Sequence, residues 1–355
     1  MLLRINLVVI IFIVIYINIS IYLLHKKKIF KYKLSLYVKM SLDLLDKKIM
    51  YELDLNSRSA VTKIAKKVRA KKETVNFRIR RLLDENYVKG FYTVFNTAKL
   101  GYFYYKVFMK FNNTTPEKES EMLLFISAQH CAYLGSCEGP YDAIFLIMVR
   151  NSGEFKDFLE QLTEKFGDYI LEKEIHTVLT THRINEKFLF SGPTKKHVYY
   201  HDKIEQYALD PIDKKIIKIL SNDARTNLVE IGQSLNVHPK VVNYHIKKLE
   251  KDGIILCYVS APNFEKLGLQ FVQINITLKR LSIIPSVIEF FDQTKKCLFA
   301  LELIGKYDLT IEIHVENHKM LRDIMENFKK MFVGKYLSYD IFTVYKEHLV
   351  VWSPF

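Results

Sequence analysis

Between Lys66 and Arg81 the chain places eight basic side chains (Lys66, Lys67, Arg69, Lys71, Lys72, Arg78, Arg80 and Arg81) against a single acid, Glu73. Cations at that density neutralise phosphates, so the run suits an extended polyanion. Asn76 lies inside it, and an amide can hold an adenine edge by two hydrogen bonds. The competing reading of such a run is a solvated helix face. A sparser set follows later in the chain: Lys240, Asn243, His245, Lys247, Lys248 and Lys251, with Glu250 and Asp252 beside them. From Ile231 to Asp252 the net charge is only +2, and His238 and His245 add to it only when protonated.

Other chemistry is thinly represented. The four cysteines, Cys131, Cys137, Cys257 and Cys297, form no C-x-x-C pair and share no metal-ligand spacing with histidine, so they read as buried thiols. His130, His176, His182 and His314 likewise read as structural, and neither a metal nor a cofactor is expected. No nucleophile stands beside a base in a recognisable arrangement, which argues against an enzyme. One short motif recurs: Gly139-Pro-Tyr141-Asp142 and Gly305-Lys-Tyr307-Asp308. Glycines there make tight turns, and an Asp beside a cleft suits the ammonium group of an amino acid.

These residues need elements to position them, and an internal repeat supplies them. Asp43-Leu-Leu-Asp-Lys-Lys-Ile49 returns as Asp210-Pro-Ile-Asp-Lys-Lys-Ile216, 167 positions on. The same offset pairs Arg58 with Arg225, Asn76 with Asn243 and Gly101 with Gly268; it slips by one residue before Gly139 meets Gly305. In each copy three helices are expected, near 42–53, 60–68 and 72–85, then 211–221, 227–235 and 239–251. Their inward stripes (Val75, Ile79, Leu82 in the third) recur at helical spacing. Two short helices joined by a tight turn, the second one basic, form the helix-turn-helix pattern. Val88–Val94 alternates like a strand pair and is expected to supply the wing. Each copy then runs β-α-β-β-α-β, the ferredoxin-like order.

The fold class is therefore α+β: two tandem units, each a winged helix-turn-helix followed by a ferredoxin-like domain, with an N-terminal hydrophobic helix. The expected boundaries are a leader at 1–40, helix-turn-helix domains at 41–100 and 210–267, ferredoxin-like domains at 101–190 and 268–355, and a linker at 191–209. Of the formal charge of +14, the leader contributes +7, while residues 101–190 carry −4, so positive charge gathers at the first helix-turn-helix. Residues 5–24 of the leader are uncharged and long enough to span a bilayer. Basic residues after them would leave the domains on the cytoplasmic side. The alternative is that translation starts at Met40; the domains are cytoplasmic in either case.

Leu45-Asp46-Lys47-Lys48-Ile49, the Val75-x-x-Arg78-Ile79-x-x-Leu82 run, Gly90-Phe91, Leu100-Gly101 and the Gly-x-Tyr-Asp turns together resemble the Lrp/AsnC (feast/famine) family of transcription regulators. The resemblance covers nearly everything but leader and linker. It implies double-stranded DNA as partner, read by Lys71, Lys72, Asn76, Arg78, Arg80 and Arg81 and by Lys240, Asn243, His245, Lys247 and Lys248. It further implies an effector such as an amino acid at Gly139, Tyr141, Asp142, Gly305, Tyr307 and Asp308. Sheets that pair between chains in that family would pair here within one chain, as a pseudo-dimer, or else in a homo-oligomer. A membrane enters only through the leader. Two alternatives share the fold. One is a DNA-architectural protein; the other is an enzyme like the siroheme decarboxylases. The His and Arg such a pocket uses are absent from Cys137-Glu-Gly-Pro-Tyr-Asp142.

Overall fold

The computed structural model describes residues 42–184, 187, 189, 190, 198–200, 203–351 and 353–355. The expected leader, with its apolar run 5–24, and much of the linker lie outside the described residues. Among those described, no helix is long and apolar enough to cross a membrane.

Three helices open each unit: α1 (Leu44–Leu55), α2 (Val61–Val68) and α3 (Lys72–Asp84), then α6 (Pro211–Asn222), α7 (Leu228–Leu235) and α8 (Pro239–Lys251). The α3 stripe of Val75, Ile79 and Leu82 is buried, as is its counterpart Val242, Ile246 and Leu249 on α8. The two copies start their helices differently. Asp210 caps α6 in a box with Asp213, and Asn227 caps α7 in a box with Glu230, whereas Ala60 before α2 offers no side-chain cap. Both turns into the third helix pass through a left-handed residue, Arg69 at φ 56° and Asn236 at φ 54°.

The strand after each trihelical unit departs from expectation. β1 (Val88–Phe95) does not fold back as a wing; it pairs antiparallel with β7 (Ile255–Pro262) of the other unit, forming a two-stranded ribbon shared by both copies. Alternation marks which face of a strand is buried and is silent about which strand lies beside it.

The ferredoxin-like halves supply the remaining elements. Unit one has β2 (Phe103–Phe111), α4 (Pro116–Ser127), β3 (Cys131–Glu138), β4 (Ala143–Val149), α5 (Ser152–Phe166) and β5 (Ile170–Arg183), followed by a short strand β6 (Val198–Tyr200). Unit two has β8 (Gln270–Leu278), α9 (Ile284–Gln293), β9 (Cys297–Ile304), β10 (Leu309–Val315), α10 (His318–Met331) and β11 (Tyr336–Val350). β5 and β11 are long because each pairs with strands of both units. β5 pairs with β2 of its own unit and then, from Thr177, with β9; β11 pairs with β8 and then, from Thr343, with β3. The result is a closed eight-stranded ring, β2-β4-β3-β11-β8-β10-β9-β5 and back to β2, with β6 appended to β5. One chain thus closes the ring with strands of its own two repeats. Helices α4 and α5, and likewise α9 and α10, cover the outside over separate cores, while Phe108, Tyr141, Tyr307 and Phe342 meet in the shared interior.

Candidate nucleic-acid interface

The outer face of α3 carries exposed Lys72, Phe77 and Arg80, with Lys71 at its N-cap exposed and Asn76 half-buried. On α8 the matching face has exposed Lys240, Tyr244 and Lys247, again with a half-buried Asn243. On each helix these positions, with the cap beside α3, form one surface because the inward stripe consumes every third or fourth residue.

Four expected contact residues stand elsewhere. Arg78 Nη1 donates to both oxygens of Asp46, at 3.1 and 3.0 Å, and Arg81 binds the same carboxylate, which is wholly buried on α1. In unit two Asp213 takes the place of Asp46: His245 Nδ1 lies 2.8 Å from it and Lys248 Nζ 3.2 Å. His245 is itself buried. Arg78, Arg81, His245 and Lys248 therefore stand at the seam between first and third helices rather than on the outer face; the arginines and Lys248 neutralise a buried acid there, and His245 lies within hydrogen-bond distance of one. An uncompensated carboxylate there would be costly.

Asp210 also lies close, at 3.5 Å from His245, and the three donors could in principle gather a metal ion. Lys248 already brings a positive charge to both carboxylates, at 3.2 and 3.8 Å. The cluster is fully accounted for as an ion network that fastens α8 to α6.

Phe77 and Tyr244 escape a reading based on charge alone. They are 63% and 65% exposed, in the same slot of both third helices, and an apolar ring on that face can meet a thymine methyl. The signal in the sequence is a large aromatic residue off the inward stripe in both copies.

The two readers are held as one piece. Arg58 donates to the carbonyls of Ala224 and Thr226, and Arg225 to those of Ser57 and Ser59. Each guanidinium also lies over a ring of the ribbon strand in the opposite unit, Arg58 over Tyr258 at 5.4 Å and Arg225 over Phe91 at 5.2 Å.

The Gly-x-Tyr-Asp turns are built into the fold, their Asp residues within each unit and their Gly and Tyr residues against the other. Asp142 accepts from the amide of Phe111 at 2.7 Å, and Asp308 from that of Leu278 at 2.7 Å. Tyr141 and Tyr307 are almost fully buried in the barrel, and Tyr307 donates to Asp340 at 2.6 Å. Gly139 and Gly305 have positive φ and press on the last strand of the other unit, at Phe342 and His176. The side chains expected to greet an effector are thus engaged in the fold.

The thiols offer no ready nucleophile: burial pushes Cys131 and Cys137 up to about 12. His176 is held down to about 4 by burial, then by the charges of Lys106 and Lys306.

Comparison with known proteins agrees with this geometry. The winged helix-turn-helix DNA-binding family matches residues 42–89 and again 209–255. Ptr1, an HTH-type transcriptional regulator of Methanocaldococcus jannaschii, is 31% identical over 134 residues, which is 38% of this chain and 82% of Ptr1. The HTH-type transcriptional regulator FL11 of Pyrococcus horikoshii is 29% identical over 121 residues, 33% of this chain and 78% of FL11. An uncharacterised HTH-type transcriptional regulator of Pyrococcus abyssi is 30% identical over 122 residues and is covered to 80%. Among solved structures, the siroheme decarboxylase NirDL shares the architecture across both units: TM-score 0.58, 13% identity, 87% of this chain and 93% of that one. At that identity the likeness speaks for the fold.

Proposed function

We propose, from the premise that this chain belongs to the Lrp/AsnC family of HTH-type transcriptional regulators, that α3 and α8 bind the two unlike halves of one asymmetric operator. The observation that carries this reading is the pair of exposed outer faces, basic on α3 and sparser on α8, tied into one chain by the β1–β7 ribbon. Lys71, Lys72 and Arg80, with Lys240 and Lys247, hold phosphates. Asn76 and Phe77, with Asn243 and Tyr244, read base edges. A family homodimer presents two identical readers and suits a palindrome; here Lys72-Glu-Thr-Val-Asn76 faces one half-site and Pro239-Lys-Val-Val-Asn243 the other.

Selection of binding sites from random DNA with the full chain tests the proposal. Asymmetric sites with one dominant half are expected, and recovery of perfect palindromes would count against it. A footprint separates a regulator from an architectural protein, since discrete sites are expected in place of a continuous track.

An amino-acid effector at the paired turns has weaker support, because Tyr141 and Tyr307 are buried between the units and Asp142 and Asp308 already accept from backbone amides of their own units. Calorimetry against the twenty amino acids decides that point. The enzyme reading rests on the likeness to NirDL. Against it stand the buried thiols and the lack of a His or Arg in Cys137–Asp142.

A further inference from the structure

The ribbon and the adjoining end of the barrel line a half-open cavity of about 150 Å³. Several rings stand in its walls, among them Tyr92 from the ribbon and Tyr104, Tyr133, Phe271 and Phe299 from the barrel. A volume of about 150 Å³ holds a molecule the size of benzene, so there is room for one ring and a short tail, far less than a tetrapyrrole needs.

The polar groups in this wall are not what a symmetric pair of units would supply. Glu312 and Glu347 both come from unit two, at positions where unit one has Leu146 and Thr181. Glu312 is provided for: its Oε1 accepts from Lys106 Nζ at 3.3 Å and from Gln273 Nε2 at 2.9 Å. Glu347 is provided for only loosely, by Lys89 at 3.7 Å, and that lysine side chain is 41% exposed at the cavity mouth. Arg183, also in the wall, spends its charge on buried Asp54. Two further wall residues, Tyr133 and Ser260, have buried hydroxyls with no hydrogen-bond partner among the described residues. Buried hydroxyls are ordinarily bonded. Ser260's counterpart in unit one, Thr93, does find an acceptor, the Leu220 carbonyl at 2.8 Å.

We propose that this cavity binds a small organic ammonium ion, its nitrogen between Glu347 and the two hydroxyls and its apolar body among the rings. Aromatic faces attract cations, and the half-buried Glu347 carboxylate can accept a charge-assisted hydrogen bond. Lys89, displaced, returns to water at little cost, since exposed ion pairs contribute little. The ribbon strands leave α3 and α8 after three residues each, so an occupant would bridge both readers to the barrel. That consequence rests on the DNA-binding reading; occupancy of the cavity does not.

Calorimetry with the full chain and three probes of one shape tests it: phenethylamine, 2-phenylethanol and phenylacetate. Saturable binding of phenethylamine is expected, with the alcohol and the acid weaker by at least about tenfold, the scale of one buried charge contact. Glu347→Gln, which keeps the shape, should remove that preference while circular dichroism stays unchanged. Ala132→Phe, which fills the cavity from β3, should abolish binding. Absence of phenethylamine binding to the folded chain, equal binding of all three probes, or binding that survives a folded Ala132→Phe variant would overturn the proposal. Any loss of phenethylamine binding can be compared with DNA binding by the same sample, which separates failure of this site from failure of the reader assignment.

Discussion

Arg58 and Arg225 hold each other's turns: Arg58 Nη1 donates to the carbonyls of Ala224 at 2.5 Å and Thr226 at 2.9 Å, while Arg225 returns the contact to Ser57. The exchange is reciprocal because the backbone beside it is reciprocal, Ser57 donating to Tyr258 at 3.0 Å and Ala224 to Phe91 at 2.9 Å. Removing either arginine strands buried carbonyls on the other unit. Arg58→Ala and Arg225→Ala are each expected to lower unfolding stability by about 2 kcal/mol, the scale of hydrogen bonds to a charged group. Denaturant titration measures the loss, and a value within a few tenths of zero for both would show that the interlock is not holding the two readers.

Arg78 and Arg80 are two positions apart and should fail in different ways. Arg78→Ala removes a guanidinium that reaches both oxygens of buried Asp46 and is expected to cost roughly 3 kcal/mol of stability. Arg80→Ala should leave stability unchanged, weaken DNA binding, and reduce the slope of log affinity against log salt by nearly one unit. Unfolding curves and salt-dependent shift assays on both variants give the two readouts. An equal loss of DNA binding at matched folded fraction would return Arg78 to the outer face.

Helix periodicity made the readers legible, since Val75, Ile79 and Leu82 can share a face in only one way. Which arginine faces outward was not legible. Charge density cannot say which cations a buried acid will claim, although Asp46 and Asp213 recur at the same place in both copies as a signal that one exists. The ribbon and the long halves of β5 and β11 were hidden for a related reason. Their residue patterns record burial, and their neighbours come from the other repeat. The glycines of the Gly-x-Tyr-Asp turns were visible as turns, but the close approach of Phe342 and His176 that demands them arises only from the pairing of units.

Acid should destabilise the fold through its buried imidazoles. His314 is held down to about 3 by burial, and His176 to about 4, against an ordinary value of 6.5. Unfolded, both take a proton as pH falls through 6.5; folded, they resist until about 4 and about 3. The stability they contribute is therefore complete above 6.5 and is lost progressively below it. Glu312 and Glu347, raised chiefly by burial, push the opposite way, so the histidine contribution is isolated by substitution. His314 stacks between Phe264 and Phe271, and His314→Phe should keep the stack while flattening the loss between about pH 6 and pH 4. Unfolding midpoints across that range check it, and parallel curves for both proteins would remove His314 from the account.

Arg69 and Asn236 occupy the same left-handed position at the ends of α2 and α7, and only one of them suits it. Asn tolerates that region through its short polar side chain, whereas most other residues with a Cβ lose roughly 1–2 kcal/mol there. Arg69, at φ 56° and ψ 47°, closes its helix by donating its amide to the Ala65 carbonyl and also adds a cation beside the basic face. Arg69→Asn is therefore expected to raise stability by about 0.5–1 kcal/mol while weakening DNA binding modestly, a trade of conformational fit against charge. Arg69→Lys separates the two effects: it keeps the charge and the strain, so affinity and stability should both stay near those of the parent. Thermal unfolding and shift assays on the pair decide it. A destabilised Arg69→Asn chain would mean that the arginine side chain makes contacts outweighing the backbone strain.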